Sequence, residues 1–311
     1  MFKTILVGCG AIGSGYRSRS GKYRLNHLDA LIANSFFKIT RVFDVKYENA
    51  QHAGNRAKAT PSEFLDELSQ YQADLAVLAG PDCTRKDHIQ KLVNNESIKV
   101  IVCEKPLGVS KSESDMIINE ISRSGKVLIT NYIRSWDDAL QKLIEELKTG
   151  RHGQIRYISV LYSNRLRNTG SHLLALLTNL TTDISVLKVF RNQDLYAYSL
   201  SLASEIRVDV QEVNRVEHPV FDITFFTSIG ELHFEGGGHK VYFKEKTLSE
   251  WVTFAALGSP LLIKDSFYSH LDSLYERIEM AARSSFLIGL DNSSQSRIVA
   301  NLLEEIETYA G

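Results

Sequence analysis

Three glycines near the start of the chain have a spacing that suits the binding of a dinucleotide. Gly8, Gly10 and Gly13 follow directly on an apolar run that begins at Thr4. In a strand–turn–helix unit the first glycine permits a tight turn, the second lets the backbone approach a pyrophosphate, and the third lets the helix pack closely. The amides at the start of that helix would face the anion. The motif therefore predicts a nicotinamide cofactor bound by Gly8, Cys9, Gly10, Ala11, Ile12 and Gly13.

An acidic residue ends the next apolar run and would bind the adenosine ribose. Asp44 could accept hydrogen bonds from both ribose hydroxyls, and its charge would repel a 2′-phosphate. This predicts NAD, with NADP left possible because Lys46 is close enough to neutralise a phosphate. Asp44 lies about 30 residues beyond Gly13, where about 20 is usual, so residues 14–26 are interpreted as an expanded loop before or within the first helix. The alternative is a solvated surface aspartate.

A lysine directly follows a later apolar run. Glu104, Lys105 and Pro106 come after the run 100–103, and ligands bind at the carboxyl ends of strands in doubly wound sheets. A lysine there could donate or accept a proton if burial lowered its pKa towards neutrality. The alternative, a surface lysine in a turn, is disfavoured because Pro106 stiffens the turn and would hold Lys105 in place.

The first part of the chain alternates apolar runs with helical patterns, which predicts a doubly wound parallel sheet. Strands are expected at 4–8, 39–44, 74–79, 100–103 and 127–130. Helices are expected at 62–68, 86–94 and 112–122, the last with a capping box formed by Ser110 and Glu113.

Beyond about residue 130 the pattern changes. After a helix at 136–148, strands without intervening helices are expected at 156–162, 195–203, 205–213, 220–227, 231–235 and 240–244, and helices at 267–283 and 294–309 close the chain. Such runs predict an antiparallel sheet. The fold class is therefore α/β, with an N-terminal Rossmann domain over 1–130 and a C-terminal α+β domain over 131–311 that has a large, open, mainly antiparallel sheet.

The composition is that of an ordinary globular chain. With 311 residues, 43% hydrophobic residues and a net charge of −1, the chain offers no electrostatic basis for binding nucleic acid or a membrane surface. A local basic cluster is either a solvated loop or a contact for phosphate or an acidic substrate: Arg17, Arg19, Lys22 and Arg24. Three cysteines without a signal peptide predict a cytoplasmic location. Neither a metal-ligand spacing nor an apolar run of membrane-spanning length is present.

Further motifs follow the strands in the order typical of one enzyme family. With the glycines, Asp44 and the Glu104-Lys105-Pro106 segment, the chain has Ala79-Gly80-Pro81 after the third strand, Asn131-Tyr132-Ile133-Arg134 after the fifth, and Gly170-Ser171-His172 later. Over roughly residues 1 to 190 this set resembles the Gfo/Idh/MocA family of nicotinamide-dependent oxidoreductases. The sheet predicted in the later part of the chain resembles that of the family only in its general strand-rich pattern.

The resemblance implies a second domain whose open sheet lines the substrate site and mediates assembly as a homodimer or homotetramer. Similar enzymes transfer a hydride between the cofactor and a secondary hydroxyl or ketone of a sugar, nucleotide sugar or related polyol. By this resemblance Lys105 and His172 would handle the hydroxyl proton, with Asn168 positioning His172. The cofactor site would also include Ala79, Gly80, Pro81, Glu104, Lys105 and Asn131, and the candidates for substrate binding are Lys105, Tyr132, Arg134, Tyr162, Arg165 and His172.

Three positions depart from the family's pattern. Asn168 stands where an aspartate is usual four residues before the histidine, and it can orient His172 but cannot supply the charge that would stabilise an imidazolium. Ala175 replaces a second common aspartate. Arg85 stands where the loop after the third strand often has a histidine.

These departures keep two other functions open. One is a cofactor-binding protein with little turnover, in a regulatory or binding role, and the other is an enzyme that borrows and returns the hydride without net oxidation. At the residue level, His172 could be a core histidine beside Leu173 and Leu174, and Tyr162 a plain sheet residue. The intact glycines, together with Lys105 and His172, favour the dehydrogenase or reductase.

Overall fold

The chain divides into two compact units. The computed structural model describes residues 1–18, 23–193, 195–214, 216–237, 240–248, 255–257, 261–264 and 270–309. Unit 1 comprises Met1–Trp136 and Tyr268–Ala300, and unit 2 comprises Asp137–Phe267 and Asn301–Gly311. The first unit thus includes a segment from the C-terminal part of the chain in addition to its N-terminal residues. Among the described residues, no helix combines the length and the apolar character needed to cross a bilayer.

Unit 1 contains a six-stranded parallel sheet. Its strands, in the order β3-β2-β1-β4-β5-β6, are β1 Phe2–Val7, β2 Phe37–Phe43, β3 Thr60–Ser62, β4 Leu75–Leu78, β5 Val100–Cys103 and β6 Val127–Thr130. Every neighbouring pair is parallel. The doubly wound sheet is therefore confirmed. The short strand β3 was not expected, and the helix expected from Ser62 is a 3-10 turn at Leu65–Ser69.

Eight α-helices accompany the sheets in the described part of the chain: α1 His27–Ala33, α2 Tyr47–Ala57, α3 Arg85–Val93, α4 Lys111–Arg123, α5 Asp138–Lys148, α6 Ser171–Thr178, α7 His270–Arg283 and α8 Ser293–Thr308. The glycine motif leads into a single π-helical turn, Ala11–Gly15. The α-helix α1 begins later, at His27, where the Asn26 side chain accepts a hydrogen bond from the Asp29 amide at 2.8 Å. The expanded segment therefore precedes α1. Residues 267–269, where a helix was expected to begin, lie outside the described residues.

The core of unit 1 lies on both faces of the parallel sheet. Successive side chains of a strand point to opposite faces, and the two faces are both apolar because helices cover each of them. One cluster joins Leu6, Val77 and Val102 to residues of α1, α2 and α7. The other joins Ile5, Ala76 and Ile101 to residues of α3 and α4. This two-sided burial explains why the central strands are continuous apolar runs in the sequence.

Unit 2 contains a nine-stranded sheet. Its strands are β7 Ile155–Tyr162, β8 Ile184–Asn192, β9 Leu195–Leu202, β10 Ile206–Glu212, β11 Phe221–Thr227, β12 Gly230–Glu235, β13 Lys240–Leu248, β14 Ala255–Leu257 and β15 Leu261–Lys264. They follow the order β14-β13-β12-β11-β7-β10-β9-β8, with β15 paired to β13. β7 and β10 pair in parallel, and the other pairs of described strands are antiparallel. The mainly antiparallel sheet is confirmed, although β8, β14 and β15 were not expected.

The start of α4 shows how local sequence sets an element boundary. The Glu113 amide donates to Ser110 Oγ at 3.1 Å, as expected for a capping box. The Glu113 carboxylate accepts from the Val109 amide at 2.9 Å, one residue before the cap. Ser110 and Glu113 together satisfy donors that the helix itself cannot pair.

Replacing Ser110 by alanine is expected to lower the free energy of unfolding by about 1 kcal/mol, because the Glu113 amide loses its acceptor. Urea unfolding would measure the change. Ser112→Ala is the matched control, since Ser112 is exposed and lies outside the cap. Equal effects of the two substitutions would contradict the cap's contribution.

Candidate active site

The glycine turn after β1 is held by close contacts between backbones. Gly8 has a φ of +92°, and a Cβ atom placed there would lie 2.5 Å from the Gly80 nitrogen. A Cβ atom on Gly13 would lie 2.0 Å from the Gly8 carbonyl oxygen. In contrast, a Cβ atom on Gly10 would meet no atom within 4 Å. The first and third glycines are required by the fold, whereas the space beside Gly10 is open and fits a pyrophosphate against the backbone.

Asp44 lies directly beside this turn, at the end of β2. Its Oδ2 accepts from the Cys9 amide at 2.7 Å. Its Oδ1 accepts from the Lys46 amide at 2.9 Å and from Asn49 Nδ2 at 3.3 Å. The carboxylate is therefore fixed where a ribose would follow a pyrophosphate bound at the turn. Lys46 is exposed, two residues beyond it.

The basic cluster predicted near the glycine motif is only partly described. Arg24 Nη1 forms an ion pair with Asp272 Oδ2 at 2.9 Å, which fits a solvated surface. Arg17 is exposed. Arg19 and Lys22 lie outside the described residues.

A buried carboxylate organises the ends of β5 and β6. Glu104 Oε1 accepts from Asn131 Nδ2 at 2.7 Å and lies 3.0 Å from His27 Nε2. The other ring nitrogen of His27 lies 2.7 Å from the Tyr275 hydroxyl. Burial alone would raise the pKa of Glu104, but its contacts with His27, Asn131 and Lys105 hold that pKa below its usual range. Glu104 therefore carries its charge at the strand ends.

Lys105 follows Glu104 and is partly buried. Burial lowers the pKa of its amine to about 8. Glu104 opposes this shift, whereas the nearby positive charges of Arg134 and Arg85 add to it. The peptide bond between Lys105 and Pro106 is cis. A lysine with a pKa of about 8 holds both protonation states in useful amounts near neutral pH, which suits proton transfer.

Two contributors to this site were not identified by sequence reasoning. His27 is fully buried behind Glu104, and in the sequence it is one histidine at the start of a short helix, without a signal for its partner. Arg85 was noticed only as a departure from a family pattern. Its guanidinium donates to the Gly80 carbonyl at 3.0 Å and to the Pro106 carbonyl. The contact of His27 with Glu104 and that of Arg85 with Pro106 join distant parts of the sequence, and no spacing in the sequence indicates either of them.

Asn131 and the 79–81 loop complete the candidate cofactor residues of unit 1. Asn131 is buried, and its Oδ1 accepts no hydrogen bond from the described side chains and backbone, so an acceptor is available beside Glu104. Ala79 and Gly80 lie against Gly8. Pro81 precedes the 3-10 turn Asp82–Thr84. Unit 1 thus brings together, at the carboxyl ends of its strands, all of the residues predicted to bind the cofactor.

In unit 2, His172 lies near the start of α6. A π-helical turn, Arg165–Gly170, runs directly into this helix. Asn168 therefore lies about one helical turn before His172 and on the same side. His172 is buried with 8% exposure, whereas Asn168 is exposed. Ala175 is fully buried within α6, so an aspartate at that position would carry a buried charge.

Three contacts anchor the π-helical turn. Glu212 is buried and accepts from the Arg165 amide, and burial raises the pKa of its carboxyl. A Cβ atom on Gly170 would lie 3.2 Å from the Tyr162 hydroxyl, so glycine permits close packing there. Arg167 Nε donates to Glu307 Oε1 at 2.7 Å, with a second bond to Oε2. The segment that leads to His172 is thus fixed from the sheet and from α8.

The candidate substrate residues occupy different environments. Tyr132 is buried in unit 1 with its hydroxyl at Ser296, and Arg134 is buried as well. Tyr162 is fully buried, where burial and the neighbouring Tyr198 and Glu212 raise the pKa of its hydroxyl. This environment fits the alternative of a plain sheet residue. Arg165 is exposed and has a φ of +71°, so its side chain is accessible.

Comparison with known proteins agrees with this geometry. Residues 2–132 match the GFO_IDH_MocA family model, described as an oxidoreductase family with an NAD-binding Rossmann fold. The match confirms the predicted resemblance of this part of the chain to the Gfo/Idh/MocA family of oxidoreductases. A comparison with curated proteins gives no significant match.

Several solved structures share the fold over nearly the whole chain. KijD10, a 3-ketoreductase from Actinomadura kijaniata in complex with NADP and TDP-benzene, has a TM-score of 0.77 at 15% identity, covering 99% of this chain and 97% of its own. A putative NADPH-dependent oxidoreductase from Desulfitobacterium hafniense has a TM-score of 0.79 at 14% identity, with coverages of 97% and 93%. GnnA, a UDP-N-acetylglucosamine 3-dehydrogenase from Acidithiobacillus ferrooxidans, has a TM-score of 0.71 at 15% identity, with coverages of 98% and 96%. At these identities the likeness shows the fold.

Alanine substitutions at Gly10 and Gly13 are expected to affect different properties of the protein. Gly10→Ala should keep the wild-type melting temperature, because a Cβ atom meets nothing within 4 Å, but should weaken NADH binding roughly tenfold or more by blocking the approach of the pyrophosphate. Gly13→Ala should lower the melting temperature, because its Cβ atom would lie 2.0 Å from a carbonyl oxygen. Thermal unfolding and NADH fluorescence titration would separate the two. Unchanged NADH affinity in Gly10→Ala would contradict the assignment.

Proposed function

We propose that the chain is an NAD-dependent dehydrogenase or reductase that acts on a secondary hydroxyl or ketone of a sugar, nucleotide sugar or related polyol. The observation that carries the proposal is Lys105, whose pKa is lowered to about 8 at the end of a strand in the same sheet as the glycine turn and Asp44. The structural neighbours support the substrate class, since KijD10 is a 3-ketoreductase with a bound TDP derivative and GnnA acts on UDP-N-acetylglucosamine.

Several residues of the chain have separate roles in the proposed reaction. A bound nicotinamide cofactor would supply the hydride acceptor or donor for the carbon that bears the hydroxyl. The Lys105 amine and the His172 imidazole together handle the single hydroxyl proton, which one of them accepts during oxidation and returns during reduction. Asn168, one helical turn before His172, orients the ring through hydrogen bonding. Arg134 and Arg165 supply planar donors suited to hydroxyl or phosphate oxygens of the substrate.

The preference for NAD rests on Asp44. Its carboxylate is held by the Cys9 and Lys46 amides, so it cannot turn away from the ribose without losing both bonds. A 2′-phosphate at that place would meet its charge. KijD10 binds NADP, and Lys46 is the residue of this chain that would favour NADP. We expect Asp44 to determine the preference for NAD, because the position of its carboxylate is fixed, whereas the Lys46 side chain is exposed.

The proposed assembly is a homodimer or homotetramer formed through the sheet of unit 2. Large apolar side chains are exposed on β7 and β8, among them Leu161 at 44% and Phe190 at 58%, and exposed apolar surface of this kind is typical of interfaces. The cytoplasmic location stays a prediction from the sequence.

Substituting the two proton-handling residues is expected to abolish turnover. A nucleotide-sugar substrate would first be identified by screening for formation or consumption of NADH. With that substrate, Lys105→Met and His172→Ala should each lower kcat by roughly a hundredfold or more. His172→Ala should keep the wild-type affinity for NADH. The matched controls are Lys99→Met, at the other end of β5 in an ion pair with Asp74, and His152→Ala, paired with Glu146. Normal turnover in either test variant would refute the roles assigned here.

The choice of cofactor can be tested at the same carboxylate. The wild-type protein should bind NADH at least roughly tenfold more tightly than NADPH, and Asp44→Asn should reduce this ratio by roughly tenfold, because the charge is lost while an acceptor for the Cys9 amide remains. Lys46→Met should weaken NADPH binding alone. Fluorescence titration of both cofactors provides the affinities, and equal wild-type affinities would contradict the preference for NAD.

A further inference from the structure

A buried arginine joins two loops that carry candidate cofactor residues. Arg85 is the first residue of α3 and is 2% exposed. Its Nη2 donates to the Gly80 carbonyl at 3.0 Å, and its Nη1 donates to the carbonyls of Pro106 and, at 3.4 Å, Leu107. Gly80 follows β4, whereas Pro106 and Leu107 follow β5, and these strands are paired neighbours. One guanidinium therefore bridges the ends of two strands.

This bridge depends on the shape of arginine. A guanidinium is a planar fork whose donors point to several acceptors at once, whereas a lysine ammonium is a compact point charge. Burying a cation is costly unless hydrogen bonds compensate it. Within the part of the chain that the structure describes, Arg85 forms no ion pair, and backbone carbonyls take that place. The Arg85 guanidinium thus binds backbone carbonyls instead of a carboxylate among the described residues.

The same guanidinium acts on the charge of Lys105. The charged groups that act on Lys105 include Glu104 on its own loop, Arg134 after β6 and Arg85 at the start of α3. Burial and the two arginines lower the pKa of the amine, and Glu104 raises it. Arg85 therefore influences Lys105 both through the backbone of Pro106 and through its charge.

We propose that Arg85 is a positioning residue that locks the loop after β4 to the loop after β5 and thereby fixes the place and the charge environment of Lys105. This inference rests on the proposed function, because it assigns Arg85 to the same site. A histidine at this position would have only two ring nitrogens and a shorter reach. The bridge to three carbonyls consequently requires arginine.

The test separates the charge of Arg85 from its forked shape. Arg85→Met removes both, Arg85→Lys keeps the charge, and Lys91→Met is the matched control on the same helix, in a surface ion pair with Asp66. Two quantities are measured for each variant. One is the NADH dissociation constant, and the other is the pH midpoint of Lys105 acylation by acetic anhydride in the cofactor-free protein, followed by peptide mass spectrometry.

The wild-type midpoint is expected at a pH of about 8. Arg85→Met should raise this midpoint by roughly half a unit, because a neighbouring positive charge is lost, and should weaken NADH binding roughly tenfold. Arg85→Lys should keep the midpoint but weaken NADH binding by roughly threefold or more, because the fork is lost. Lys91→Met should change neither quantity.

Wild-type values of both quantities in a folded Arg85→Met variant would overturn the inference. Circular dichroism and thermal unfolding establish that the variants are folded. If Arg85→Met does not fold, the NADH dissociation constant of Arg85→Lys tests the inference. A wild-type NADH affinity in Arg85→Lys would then overturn it. A wild-type protein that does not bind NADH would refute the proposed function instead, and the acylation midpoint of Arg85→Met would still decide the role of Arg85.

Discussion

Backbone packed directly against backbone is the constraint on which the candidate cofactor site of unit 1 depends. β1 and β4 pair in parallel, so the turn after β1 and the loop after β4 leave the sheet side by side. At Gly8 they come so close that a single added carbon would lie 2.5 Å from the Gly80 nitrogen. Because no side chain intervenes, strand pairing itself sets the position of the glycine turn. Asp44, from β2 on the other side of β1, then accepts from the Cys9 amide and fixes the turn from that side.

Electrostatics at the strand ends follow from one buried carboxylate. An ion removed from water is stabilised only by good hydrogen-bonding partners, and Glu104 has Asn131 and His27. These partners come from β6 and α1, so the charge is available only after distant segments have packed together. Burial lowers the pKa of the Lys105 amine to about 8, with Glu104 opposing the shift and Arg134 and Arg85 adding to it. The amine is therefore balanced between its charged and neutral forms near neutral pH.

The sequence predicted the central strands of unit 1 well, since strands buried on both faces are continuous apolar runs, but it did not predict helix α2. It failed where an element lacks such a run. β3 contains Pro61 within three residues, and β8 has mostly exposed or partly exposed side chains. The glycines, Asp44 and Lys105 could be found because their roles depend on neighbours in the sequence. His27 could not, because its partner Glu104 is distant in the sequence. Arg85 could not, because its partners are backbone carbonyls, which no residue type in the sequence indicates. Helix α7 was predicted as a helix, but periodicity does not indicate which unit a helix joins.

The second unit supports its histidine without the usual carboxylate. Its π-helical turn is held by Glu212, Tyr162 and the Arg167–Glu307 pair, so the direction of α6 does not depend on Asn168. An asparagine one turn before His172 can fix the ring, but it adds no charge to favour an imidazolium. In the proposed reaction a lysine whose pKa burial lowers to about 8 can handle the hydroxyl proton near neutral pH together with His172. Turnover therefore does not require a carboxylate at position 168 or 175.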